Sequence, residues 1–195
     1  MKSGKWSDTR LLRAGIQFNN KEEKVNETKN TMCKISFDFD KKSHHRVEGY
    51  FSGYASIFDE VDSQNDRVVR GAFTRSLACW HQAARKPKML WQHQEEHVIG
   101  IWRHLKEDTR GLYVEGSLLL DVAKAKEAFA LIKEQALDGL SIGYQIKQAI
   151  KGTTPRSVRL LTDVDLLEIS LVTFPANPLA RILAVNNAAA EAIRA

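Results

Sequence analysis

Residues 139–147, GLSIGYQIK, begin with a match to the G-x-S-x-G expression, and the way they are read decides between two folds. In an α/β-hydrolase that expression marks a strained turn, entered by a strand and left by a helix, with the serine exposed above a parallel sheet. Here the order is reversed. Upstream, VAKAKEAFALIKEQAL (122–137) carries Val122, Ala125, Phe129 and Ile132 at helical spacing, with Asp121 at its start. Downstream the residues alternate: Leu140, Ile142, Tyr144 and Ile146 take one face, and Ser141, Gly143, Gln145 and Lys147 the other. A helix followed by a strand is not a nucleophile elbow. Ser141 is expected on a strand, directed away from the core, beside a glycine that leaves room for a peptide to approach. Spacing alone is equally satisfied by an ordinary solvent-facing strand serine, which is the commoner case.

Working outward, the same two periods recur. KISFDFD (34–40) and VEGYFSGYASIF (47–58) read as strands, the second with a bend or bulge at its glycines and aromatics. DSQND (62–66) is a turn cluster. RGAFTRSLACWHQAA (70–84) has helical spacing through Phe73, Leu77 and Trp80, and Pro87 ends it. KMLWQH and VIGIWRHL read as two short strands separated by the polar QEE, and GLYVEGSLLL as a third. SVRLLTDVDLLEISLVTF (157–174) is a strand pair or one bent strand, closed by the extended PANP. RILAVNNAAAEAIRA (181–195) is a weak amphipathic helix. Strands interrupted by two helices predict an α+β fold, a mostly antiparallel β-barrel or sandwich with helices packed on it.

The chain of 195 residues suits one domain of about 150 residues with appendages. Residues 1–31 are polar and aperiodic and are expected to form a flexible arm, 32–182 the domain, and 183–195 a tail. Hydrophobic residues are 43% and charged residues 27%, the balance of a globular protein. No apolar run is long enough to span a membrane or serve as a secretory signal. Cys33 and Cys79 are too few and too far apart for a disulfide framework or a CxxC metal site. The formal charge of +5 is spread among acids, without the basic clusters and interleaved aromatics of a nucleic-acid surface. Neither specific nucleic-acid binding nor a membrane is expected.

Two further constellations compete with Ser141. His93-Gln94-Glu95-Glu96-His97 satisfies H-x-x-E-H, which binds zinc when both histidines stand on one helix face beside a general-base Glu. The flanking MLWQH and VIGIW are β-rich, so the two rings need not converge. Glu168 lies within the apolar run DVDLLEISLVTF, where alternation groups it with Val164, Leu166, Ser170 and Val172. A carboxylate in such a run needs a partner. That partner is either an arginine, Arg103 or Arg159, or an imidazole that it orients.

GYASIFDEVDSQNDRVVRGAF, PKMLWQHQEEHVIGIW, LDGLSIGYQI and LLEISLVTFPANP, in this order from about Gly53 to Pro178, resemble the HK97-type prohead maturation proteases of tailed bacteriophages. That family is similar in fold to the herpesvirus assembly proteases, a β-barrel surrounded by helices. The resemblance implies a serine endopeptidase in which His93 and Ser141 fall on the family's His and Ser positions, and Glu168 on the acidic third position. Asp165, His97 and His104 are rivals for that third role. No cofactor or metal is implied. The implied partners are the scaffolding arm of the major capsid protein or a separate scaffold, and the protease itself by self-cleavage, with dimerisation by herpesvirus analogy. The implied place of action is the host bacterial cytoplasm, inside the assembling procapsid. The arm and the tail are the expected self-cleavage segments, because exposed loose ends attract proteolysis. Alternative readings are a zinc peptidase and an inactive capsid-assembly module.

Overall fold

YFSGYASI, in which burial alternates from Phe51 to Ala55, makes β1 (Tyr50–Ile57), with a bulge between Tyr54 and Ser56 where the pairing shifts. In the computed structural model, which describes residues 48–151, 154 and 157–186, it is followed by nine more elements. These are β2 (Asp66–Val68), α1 (Thr74–Gln82), β3 (Lys88–Trp91), β4 (Gln94–Glu107) and β5 (Gly111–Leu118). After them come α2 (Ala123–Lys133), β6 (Gly139–Lys151), β7 (Arg159–Val172) and β8 (Ile182–Val185). The expected arm, the KISFDFD strand, Gly152 and Thr153, and the tail beyond Asn186 lie outside the described residues.

The sheet is mostly antiparallel, with β7 paired in parallel to both β2 and β3. It curls until its ends meet. Gly139, opening β6, bridges Arg181, just before β8, flanked by Leu140 N–H to Ala180 C=O (3.0 Å) and Ile182 N–H to Asp138 C=O (2.8 Å). The pairings then run β6–β7–β3–β4–β5–β1–β8 and back to β6, which is the expected α+β barrel with helices against it. Gly53 permits the closure: a Cβ there would stand 2.3 Å from the Arg181 carbonyl oxygen. Phe51, Met89, Ile99, Leu112, Leu140, Ile169 and Leu171 are fully buried in the core, with Ala125, Ala128, Phe129 and Ile132 of α2 packed on it.

Strand β7 is one bent strand, and its bends follow from two extra residues. Core-facing positions are Leu161, Val164, Leu166, Ile169 and Leu171, so the two-residue period is broken twice. The second break inserts Leu167, 44% exposed, between the pairs Tyr144–Leu166 and Gly143–Glu168. The expectation that Glu168 and Ser170 share the face of Val164 and Leu166 is thereby corrected. The bulge moves both to the opposite face, and the carboxylate never enters the apolar core. On the edge of β7 between β2 and β3, α1 and the turn that leads into it supply the missing partners. Val164 N–H donates to Ala72 C=O, Leu166 N–H to Ser76 Oγ (2.9 Å), and the Trp80 indole N–H to Leu166 C=O (2.8 Å).

Two other expectations change. The polar QEE is not a connector but the start of β4, and the turn lies earlier, at Gln92-His93. Residues 182–185, expected as helix, form β8 because β1 offers them an edge to pair with. Pairing with a neighbouring strand overrides weak helical periodicity, and the expected boundary at 182/183 falls inside this strand.

Candidate active site

Trp91 pairs with Gln94, leaving Gln92 and His93 as a two-residue hairpin turn, with φ of 52° and 59°. Two successive positive φ values are the pattern of a type I′ turn, normally filled by Asn-Gly. Neither residue here is a glycine, so the turn is strained and is held by contacts to β7. Gln92 N–H continues the parallel ladder to Leu171 C=O (2.9 Å). Its side chain closes on Thr173, with Nε2 donating to Oγ1 (2.8 Å) and Oε1 accepting from the Thr173 N–H (3.2 Å). His93 is thereby folded over the outer face of β7. Its main-chain N–H donates to Ser170 Oγ (3.1 Å), and its ring Nδ1 lies 2.6 Å from Glu168 Oε1.

The other oxygen of Glu168 accepts from the Ser170 hydroxyl at 2.6 Å. Across the β6–β7 ladder Ser141 stands opposite Ser170, and Gly143 opposite Glu168. Directly opposed side chains of an antiparallel pair project to the same side, about 4.5–5.5 Å apart at Cβ. Ser141, Ser170, Glu168 and His93 are thus collected on one face, while Leu140 and Leu171 face the core. The three residues singled out in the sequence come together. Among the described residues no hydrogen bond joins His93 to Ser141, and a gap of this kind is common before substrate binds.

Two details differ from expectation. Ser141 is not solvent-facing: it is only 5% exposed, at the edge of a cleft lined by Ser56, Asp62, Tyr144, Ala176 and Asn177. Nor does Gly143 leave space for a peptide. A Cβ at Gly143 would lie 2.2 Å from Glu168 Oε1, so the missing side chain accommodates the carboxylate itself. Ser170, fully buried and in contact with both His93 and Glu168, was not singled out in the sequence. Its only signal there was the two-residue spacing from Glu168.

The rivals for the third role are engaged elsewhere or apart. Asp165 receives Arg75 Nη2 (2.5 Å) and Lys147 Nζ (2.9 Å). Burial works against its charge, but those hydrogen bonds and charges outweigh burial and hold its carboxyl below the usual carboxylate range. Arg159 does not reach Glu168 but binds Asp66 through Nε (2.6 Å) and Nη2 (2.5 Å), with the Tyr144 hydroxyl donating to the same carboxylate (3.3 Å). Burial, followed by the charges of Asp66 and Asp62, pushes the Tyr144 hydroxyl well up. His97 and His104 lie on β4 and bond to none of the three. The H-x-x-E-H run spans a turn and an extended strand, so the helix face that brings two such histidines to one zinc is missing.

A strand serine on the face that also carries an imidazole held by a carboxylate is the equipment of a serine hydrolase. Over residues 37–194 the chain matches the caudovirus prohead serine protease family, and it belongs to that family. It is 35% identical over 142 residues to the prohead protease of Enterobacteria phage HK97, in an alignment covering 72% of this chain and 61% of that protein. Among solved structures it is similar to the protease of varicella-zoster virus, with 15% identity and a TM-score of 0.41 over 68% of this chain and 62% of that one.

Proposed function

We propose that the chain is a serine endopeptidase of phage prohead maturation, with Ser141 as nucleophile, His93 as general base and Glu168 as the carboxylate that orients it. The observation that carries this reading is the 2.6 Å contact from His93 Nδ1 to Glu168, on the face that Ser141 shares. With Nδ1–H donated to the carboxylate, Nε2 carries the lone pair that takes the Ser141 proton as Oγ attacks a peptide carbonyl. The imidazolium then returns that proton to the leaving amine. Water, activated by the same imidazole, releases the acyl group from Ser141. Ser170 is 0% exposed and its hydroxyl is committed to Glu168 and the His93 main chain, whereas Ser141 lines a cleft, which favours Ser141 as the attacking hydroxyl.

The substrate is the scaffolding arm of the major capsid protein or a separate scaffold, cut within the closed procapsid in the host cytoplasm, and the protease also cleaves itself. Family membership supports this reading. Co-expression with the capsid gene, followed by fragment sizing and intact-mass measurement, tests it. Ser141→Ala is expected to lower cleavage of both capsid protein and protease by at least about 10³-fold. Near-native cleavage by that variant would end the serine mechanism, and inhibition by a chelator but not by a serine-directed phosphonate would favour a metallopeptidase.

A further inference from the structure

We infer that Ser170 is a positioning residue of the site, a hydroxyl that locks the carboxylate and the main chain of the histidine turn into one rigid unit. The inference rests on the reading of His93, Ser141 and Glu168 given above. Its basis is an unusual use of one buried oxygen. Ser170 is 0% exposed, donates to Glu168 Oε2 at 2.6 Å and accepts the His93 main-chain N–H at 3.1 Å. A hydroxyl has one proton to give and lone pairs to receive, so both contacts are satisfied at once.

Each contact answers a weakness elsewhere. Glu168 follows the bulge at Leu167, and its Oε1 sits over Gly143, which has no side chain to wedge it. A carboxylate free to rotate there would lose its alignment with Nδ1. The second oxygen, tied to Ser170, fixes the carboxylate plane and leaves Oε1 to the imidazole. His93 in turn occupies a left-handed conformation that a non-glycine residue adopts at a cost. The bond from its N–H to Ser170 is one of the few that hold the turn down onto β7. The parallel pairing of Leu90 with Ser170 brings the turn to this point, two residues beyond.

Ser170 touches neither the nucleophile's proton nor the peptide, so its loss is expected in kcat and not in KM. Hydrogen bonds to charged groups are strong enough that removing one costs about 10- to 100-fold when the geometry it holds is needed in the transition state. The test is a double-mutant cycle on the full chain, with kcat and KM measured on a capsid-arm peptide. Ser170→Ala, Glu168→Ala and the double variant are compared after normalising to phosphonate-labelled sites. Thermal unfolding midpoints establish that each variant is folded. Ser170→Ala is expected to lower kcat about 10-fold or more with KM within about twofold, and to have a clearly smaller effect when Glu168 is already alanine. A native kcat in Ser170→Ala, or an undiminished loss in the Glu168→Ala background, would overturn the inference, because a merely structural hydroxyl affects both backgrounds alike. Activity surviving in Ser141→Ala would instead strike the underlying mechanism and leave the packing of Ser170 unexplained by catalysis.

Discussion

Strand β7 carries two carboxylates before the bulge at Leu167 and one after it, and the two sides are treated differently. Before the bulge, Asp163 and Asp165 meet Arg75 and Lys147, whose side chains are 44% and 45% exposed. Past it, Glu168, 13% exposed, meets an imidazole 27% exposed and a buried hydroxyl. The first set consists of long flexible cations clasping acids at the surface, an arrangement worth at most about 1 kcal/mol per pair. The second consists of short side chains whose positions are dictated by main chain: a turn, a bulge and a ladder. A carboxylate on a strand is therefore not informative by itself. What distinguishes a candidate catalytic acid from a structural one is whether its partner has any freedom left.

The comparison breaks most visibly in activity. Glu168→Gln is expected to reduce kcat by up to about 10³-fold, while Asp165→Asn leaves it within about twofold. Equal losses in steady-state assays of the two variants would erase the distinction drawn between the halves of the strand. Next in size is Gly143→Ala. Its added methyl would stand 2.2 Å from Oε1 and 2.9 Å from both Cδ and Cγ of Glu168, so the whole side chain must give way at its bonds to His93 and Ser170; kcat should fall about 10²-fold through misplacement of the histidine while the unfolding midpoint falls only modestly. Parallel loss of stability and activity there would mean that backbone, not the carboxylate, had been disturbed.

The smallest effect belongs to the first half of the strand and appears only in stability. Because the Asp165 carboxyl is held below its ordinary range in the folded state, its contribution is present above the unfolded-state value of about 3.9 and fades as pH falls through the lower folded value. Asp165→Asn should thus unfold more readily than the parent at neutral pH, by about 0.5–1 kcal/mol in denaturant titration. The gap should close as the pH is brought below about 4. A gap that persisted unchanged in acid would show that packing, and not charge, sets the difference.

How much of this was readable beforehand depended on whether the signal was periodic. Val122, Ala125, Phe129 and Ile132 announce α2, and the alternation from Leu140 to Ile146 announces β6, because each repeats one period long enough to be seen. The order helix-then-strand around Ser141 was sufficient to dismiss a nucleophile elbow. The phase of Glu168 was not readable: one extra residue, Leu167, reverses every side chain after it, and nothing in LLEIS marks where the extra residue falls. The turn at Gln92-His93 was similarly hidden, since it lacks the glycine or asparagine that advertises positive φ. Ser170 was invisible for a third reason. Its importance lies in joining Glu168, two residues away, to the main chain of His93, which is distant in the sequence, and a buried serine has no pattern of its own.

The histidine turn also sets a limit on how far this protein can be stabilised. The dipeptide that would suit a two-residue hairpin best, Asn-Gly, contains no imidazole. Any replacement that relaxes the backbone at residues 92 and 93 by installing such a pair would remove the proposed base along with the strain. Selection for greater heat resistance and selection for turnover accordingly pull in opposite directions at this one corner, and improvements in thermal tolerance would have to come from elsewhere in the barrel.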